Sequence, residues 1–253
     1  MSLDVPLQIH RQKEGVAPHR DLFRVSVADS ATVLDAIEAA WAWHDGTIQF
    51  RHACHHASCG SCAVRVNGIE RLPCVTAITD VWDGASDVVV EPLRNFPVAA
   101  DLVVDVSTLF DRLEASEMSP LRPVEHALPV EIGERPRTDD GTMVAPAGIE
   151  RFMRFESCIE CGICISACPT AALGGKFYGP AGLAAVQRAR AEATAATEVD
   201  AILGSVDGEH GVWRCHSAWE CTERCPQGLD PAGAIMSLRR ELTARRLRRL
   251  FRR

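Results

Sequence analysis

Apolar and polar residues alternate over Val5–Gln12 and again over Leu22–Ala28, the period of half-buried strands. Between Thr32 and His44 the period changes. Val33, Ile37, Ala40 and Trp41 recur at helical spacing, and Ser30 or Thr32 is placed to cap the first turn. Cys62–Val66 runs into Asn67-Gly68, a dipeptide suited to a two-residue hairpin, and Asp87–Val90 predicts a last strand. Periodicity then fades over residues 116–150, which carry Pro120, Pro123, Pro129, Pro136 and Pro146 and read as an extended connector. Beyond about residue 147 the texture turns helical, with Pro180–Ala196, Asp200–Leu203 and Pro231–Leu250 as predicted helices. The pattern therefore predicts an α+β chain with a small mixed domain over 1–115, a connector over 116–146 and an all-α domain over 147–253.

Composition narrows the class. The chain has 253 residues, 47 % of them hydrophobic, enough for two modest cores. A formal net charge of −7 argues against a general nucleic-acid binder. No stretch reaches the roughly 20 apolar residues of a membrane span. The start, MSLDVPLQIH, has neither the basic nor the apolar region of an export signal, so a reducing compartment is expected. In such a compartment, clustered cysteines read as metal ligands rather than disulfides.

The eleven cysteines fall in three groups. Cys54-x4-Cys59-x2-Cys62 with a distal Cys74 has the plant-type [2Fe–2S] spacing, with Gly60 and Ser61 small where backbone must approach a cluster. Cys54-x-His56 begins a Rieske pattern, but Cys74 is followed by Val-Thr-Ala, so the second Cys/His pair is missing. His52, His55 and His56 are read as loop surface. Cys158, Cys161, Cys164 and Cys168 form a C-x2-C-x2-C-x3-C-P run; Cys215, Cys221 and Cys225 form a second run in which Ala218 replaces the second cysteine. In two-cluster bacterial ferredoxins the fourth cysteine of each run serves the other cluster. Applied here, Cys158, Cys161, Cys164 and Cys225 hold a [4Fe–4S] cluster. Cys168, Cys215 and Cys221 are left with three ligands, the set for [3Fe–4S]. A [4Fe–4S] cluster completed by water or another side chain is the alternative at that third site.

Strand–strand–helix–cysteine loop–strand resembles the β-grasp plan of plant-type ferredoxins, and the later runs resemble bacterial two-cluster ferredoxins. Together, FRHACHHASCGSCAVRVNG, EPLRNFPVAADLVVD, CIECGICISACP, GPAGL and CPQGLDP resemble the iron–sulfur subunit of the succinate dehydrogenase/fumarate reductase family (respiratory complex II). That resemblance implies an electron-transfer subunit with no dicarboxylate site of its own. It implies a flavoprotein partner carrying FAD, a cytochrome-type membrane-anchor subunit that binds quinone, and a peripheral position on the cytoplasmic face of a bacterial inner membrane. Pro169 is followed by Thr170-Ala171-Ala172-Leu173, without the tryptophan pair of many ubiquinone-using members. CPTAALGGKFYGPAGL is more similar to menaquinone-linked, fumarate-reductase-like members. Pro169, Trp213, His216, Trp219 and Arg239 fall where the family has quinone-proximal groups, and simple core packing is the alternative for the tryptophans.

The tail, LRRELTARRLRRLFRR, holds eight arginines and one glutamate on an otherwise acidic chain. With Leu238, Leu242 and Leu250 it reads as a basic amphipathic helix suited to an anionic membrane surface or an acidic partner. Two rival readings stand beside the leading one. An iron–sulfur subunit of heterodisulfide-reductase type would carry two complete cysteine runs, which Ala218 and the first cysteine loop argue against. A zinc-stabilised interaction module would be colourless.

Overall fold

The computed structural model describes residues 2–116, 157–193 and 195–251. The proline-rich connector expected over 116–146 lies, after Ser116, outside the described residues.

The N-terminal part is a five-stranded mixed sheet. Strands β1 (Ser2–Arg11), β2 (His19–Ala28), β3 (Val64–Val66), β4 (Ile69–Arg71) and β5 (Val88–Glu91) are arranged in the order β2-β1-β5-β3-β4. β1 pairs antiparallel with β2 and parallel with β5, Leu7 opposite Val88 and Ile9 opposite Val90. A parallel neighbour needs a crossover, and helix α1 (Val33–Trp43) lies on that path. Val5, Leu7, Ile9, Val25, Val64, Val88 and Val90 present one apolar face, and Val33, Ile37 and Ala40 of α1 cover it.

Local chemistry sets the ends of these elements. Thr32 is the N-cap of α1: its hydroxyl accepts from Asp35 N (3.2 Å), and the Asp35 carboxylate accepts from Thr32 N (2.7 Å). This reciprocal capping box satisfies two backbone donors and selects Thr32 over Ser30. Asn67 (φ 50°) and Gly68 (φ 81°) both adopt positive φ between β3 and β4, the requirement of a type I′ hairpin turn. A small hairpin, β6 (Val98–Ala100) and β7 (Val103–Val104), and helix α2 (Ser107–Ala115) follow the sheet; neither was legible in the apolar pattern.

The C-terminal part is helical. The short helix α3 (Ile163–Ser166) lies within the second cysteine run and carries Cys164, and α4 (Pro169–Ala172) follows the run. Then come α5 (Gly179–Glu192), α6 (Ala196–Val206), α7 (Glu220–Glu223) and the long α8 (Pro231–Phe251). The single predicted helix over Pro180–Ala196 is thus α5 with the first residue of α6, and the predicted Asp200–Leu203 segment lies within α6.

The two parts share one core. Leu93, Phe96, Leu109 and Leu113 pack in a cluster with Ile163, Ile165, Phe177, Leu183 and Leu238. A polar clamp reinforces the seam. Glu70, 4 % exposed, accepts from Ser166 Oγ (2.8 Å) and from Arg94 Nη2 (3.0 Å). Asn95 Nδ2 lies within donating distance of the carbonyls of Ile165, Ser166 and Cys168. Such a satisfied buried network fixes relative placement more sharply than apolar contact alone.

Candidate metal centres

All eleven cysteines are free thiols. In the first group, Cys54 and Cys59 sit on the loop after α1, while Cys62 and Cys74 are buried beneath it. The backbone amides of His56 and Ser58 point at Cys54 Sγ (3.5 and 3.3 Å), and Ser61 Oγ lies 3.1 Å from Cys59 Sγ. Hydrogen bonding from Ser58 and the His56 amide lowers the Cys54 thiol to about 5. Burial does the opposite to Cys62, pushing it up to about 12.

Cys158, Cys161, Cys164 and Cys225 line one cavity with Pro226 and Leu229. The run Cys158–Cys164 is continuous, but Cys225 reaches this cavity only because α7 folds back onto α3. Burial pushes Cys161 up to about 12 and Cys164 well above the ordinary thiol range, with the other thiols of the group adding repulsion. Cys168, Cys215 and Cys221 form the third group. Burial raises Cys168 and pushes Cys221 up to about 12, and the mutual repulsion of these three thiols adds to it.

This donor set suits iron. Several buried thiols that resist ionisation, packed against one another, are costly as neighbouring thiolates. A cationic centre reverses that cost, because a coordinating thiol is deprotonated outright. Arg112 strengthens the fit. It rises from α2 towards Cys168 and Cys164, and its buried Nη1 has no hydrogen-bond partner among the described residues. Burial lowers the guanidinium's affinity for its proton. A cluster sulfide or thiolate at this point would accept from that donor.

The groups adjoin in series. A methyl group placed on Gly60 would lie 2.7 Å from Cys161 Cβ and 2.9 Å from the Ile159 carbonyl oxygen. Gln227, two residues beyond Cys225, donates to the Ala57 carbonyl (2.8 Å). A cavity of about 270 Å³ lies between the first two cysteine loops, bounded by Cys59, Cys62 and Cys161. Groups two and three are close enough for the Cys221 thiol to add to the repulsion that raises Cys164.

Pro169, Trp213, His216 and Trp219 are exposed near the third group, Trp213 by 36 % and Trp219 by 42 %. Arg239 stands elsewhere in the architecture than a surface cation would. Its guanidinium donates to the carbonyls of Val212 (2.7 Å) and Cys215 and to Ser217 Oγ (3.2 Å), so it braces the loop carrying Cys215. Trp213 is also pinned. Its Nε1 donates to Asp207 (2.7 Å), and the Arg246 guanidinium stacks 4.7 Å from its ring centroid. An open groove of about 480 Å³ runs beside it, floored by Met236 and Leu247.

The basic tail needs correction in part. Leu238 and Leu242 are buried in the protein core, not on a membrane-facing stripe. Arg245 pairs with Asp200 and Arg246 with Asp207 (2.7 Å). Arg240, Arg248 and Arg249 remain exposed, beside the exposed Leu250 and Phe251.

Comparison with known proteins agrees with this geometry. Residues 6–111 match the 2Fe-2S iron-sulfur cluster binding domain family, and residues 154–229 match the 4Fe-4S dicluster domain family. The fumarate reductase iron-sulfur subunit of Mycobacterium tuberculosis is 38 % identical over 90 % of this chain and 87 % of its own. That of Escherichia coli O157:H7 is 31 % identical over 92 % and 90 %. The succinate dehydrogenase iron-sulfur subunit of Paracoccus denitrificans is 30 % identical over 84 % and 77 %. Among solved structures, the Mycobacterium smegmatis Sdh1 complex in the apo form superimposes with a TM-score of 0.75 at 25 % identity, covering 97 % of this chain and 98 % of its counterpart. The chain therefore belongs to the iron–sulfur subunits of the fumarate reductase/succinate dehydrogenase family and is an electron-transfer subunit of that oxidoreductase.

Proposed function

We propose that this chain relays electrons between the FAD of a flavoprotein subunit and a membrane quinone, of the menaquinone class, held with a membrane-anchor subunit. Cys54, Cys59, Cys62 and Cys74 hold [2Fe–2S]; Cys158, Cys161, Cys164 and Cys225 hold [4Fe–4S]; Cys168, Cys215 and Cys221 hold [3Fe–4S]. Bound there, the clusters would supply single-electron carriers whose potentials the surrounding residues set. The division into 1–115, 116–146 and 147–253 separates the first carrier from the other two.

The chain's own residues supply position, burial and charge. Gly60 permits the first loop to approach Cys161. The Glu70–Ser166–Arg94 clamp and Asn95 hold the two halves in register. Arg112 places a positive charge beside Cys164 and Cys168, and Arg239 holds the backbone at Cys215. The exposed end of the first group, Cys54 and Cys59, faces the flavoprotein in this reading. Pro169, Trp213, His216 and Trp219 face the anchor and quinone. No described helix is long and apolar enough to cross a membrane, so attachment on the cytoplasmic face falls to the anchor.

The observation that supports this reading is the serial arrangement of the three thiol groups: the first loop packs on Cys161 at Gly60, and Cys164 feels the Cys221 thiol. Stepwise reduction of the purified complex, followed by electron paramagnetic resonance and iron analysis, tests it. About nine irons per chain and an oxidised [3Fe–4S] resonance are expected. Stoichiometric zinc at the cysteines, or no [3Fe–4S] resonance in fully loaded protein, overturns it.

A further inference from the structure

A second kind of metal site lies outside the cysteines. Glu38 on α1 meets His52 and His55 on the loop that leads into and past Cys54. His52 Nδ1 is 3.0 Å from His55 Nε2, and Glu38 Oε1 is 3.4 Å from the first and 3.6 Å from the second. Three donor atoms thus form a compact triangle with edges from 3.0 to 3.6 Å. With zinc–ligand bonds of 2.0–2.1 Å, the edge of a coordination tetrahedron is about 3.3–3.4 Å. The three edges bracket that length.

Hydrogen bonding alone leaves the arrangement incomplete. Glu38 Oε1 is buried and has no hydrogen-bond partner among the described residues, since both imidazole nitrogens stand beyond good hydrogen-bond distance from it. One imidazole can donate to the other, but that leaves the carboxylate oxygen unserved. A cation at the centre satisfies all three.

The side chains are pre-positioned. His52 stacks on Phe50, with ring centroids 5.2 Å apart and planes at 18°, and Phe50 packs edge-on against Trp41. His55 sits in the left-handed region, φ 59°, a conformation that an ordinary side chain adopts rarely. His56 is not part of the set: its ring turns back to the Cys54 carbonyl and to Ser58 Oγ.

We propose that Glu38, His52 and His55 bind one divalent first-row metal ion of the zinc class, with a fourth position open to water. Two imidazoles and one carboxylate form a standard protein ligand set for zinc. The ion would tie α1 to the loop bearing Cys54 and place positive charge beside the first thiol group.

The test uses the assembled complex with its clusters in place. It is incubated with zinc chloride, gel-filtered in a weak chelator, and analysed for zinc and iron together. About one zinc per chain, retained with undiminished iron, is expected. Glu38→Ala and His52→Gln should each weaken zinc retention by at least about tenfold. His19→Gln, at a histidine outside the site, should leave it unchanged. Zinc absent from the unmutated complex overturns the proposal, as does zinc that survives both site substitutions. If His52→Gln costs iron as well, Glu38→Ala decides alone, because Glu38 lies on α1 and not on the cysteine loop.

Discussion

Gly60 packs directly against Cys161, 101 positions further along the chain. Any β-carbon at residue 60 would lie 2.7 Å from that of Cys161, and φ at Gly60 is +69°. Both the space and the conformation demand glycine here. Gly60→Ala should push the first loop away from the second, lowering [2Fe–2S] occupancy and slowing electron passage between the first two centres by tenfold or more. Rapid-freeze resonance spectroscopy after reduction from the flavin side measures this. Unchanged occupancy and unchanged transfer would show that the contact does not govern the path.

Ala218 stands where a complete run has cysteine. Ala218→Cys should favour [4Fe–4S] at the third site, remove the oxidised [3Fe–4S] resonance and lower the site's potential, because a fourth thiolate adds negative charge. Iron should rise by about one per chain. A resonance that persists with unchanged iron counts against the three-ligand assignment.

Arg112 directs an unpartnered Nη1 towards Cys164 and Cys168. Replacing it with glutamine removes a buried positive charge that favours the more negative, reduced state. The potentials of the second and third centres should fall by tens of millivolts, while that of the first stays within error. Redox titration of all three signals in one sample separates this from general loss of structure, which would disturb the first centre too.

Arg11 is 4 % exposed and donates to Asp21 (2.9 Å) and Asp45 (2.6 Å), with Asp101 3.3 Å away. The Arg11 hydrogen bond, supported by Thr47, holds the Asp45 carboxyl well below the usual carboxylate range. A carboxyl whose folded value is depressed stabilises the fold above its unfolded value, and that contribution is lost as pH falls. Stability should therefore be level at neutral pH and decline below about pH 4. Arg11→Met should cost on the order of 3 kcal/mol at neutral pH, because it removes the counter-charge of the fully buried Asp101 and leaves that carboxylate only the Gln12 and Gln49 amides, and should flatten the acid decline. Urea midpoints across pH, on protein with intact clusters, check both parts.

The tail's arginines should divide by their contacts. Replacing the exposed Arg240, Arg248 and Arg249 with serine should release the complex from anionic membranes at lower salt, with all clusters intact. Replacing Arg246, which pairs with Asp207 and stacks on Trp213, should instead loosen the region around the third centre. Equal effects from the two sets on salt release would remove the distinction.

Much of this was legible in the sequence because it depends on short chain separations. The spacing of Cys54, Cys59 and Cys62 sets how a loop can wrap a small inorganic core, and the substitution at Ala218 is local. Asn67-Gly68 declares its hairpin through backbone conformation alone, and Val5, Leu7 and Ile9 declare their buried face through a period of two. The partnership of Cys225 with Cys158–Cys164 was readable only through likeness to a known motif; the packing of α7 on α3 brings Cys225 to the cavity that those three also line. Other features had no local signal. Arg239 looks like one more basic residue of a charged tail, yet packing of α8 turns it inward onto the Cys215 carbonyl. Leu238 and Leu242 look membrane-facing until the core claims them. Arg112 beside Cys164 and Cys168, and Glu38 beside His52 and His55, are juxtapositions of elements far apart along the chain. Side-chain direction at such points is decided by how helices and loops pack, and that depends on the whole core at once.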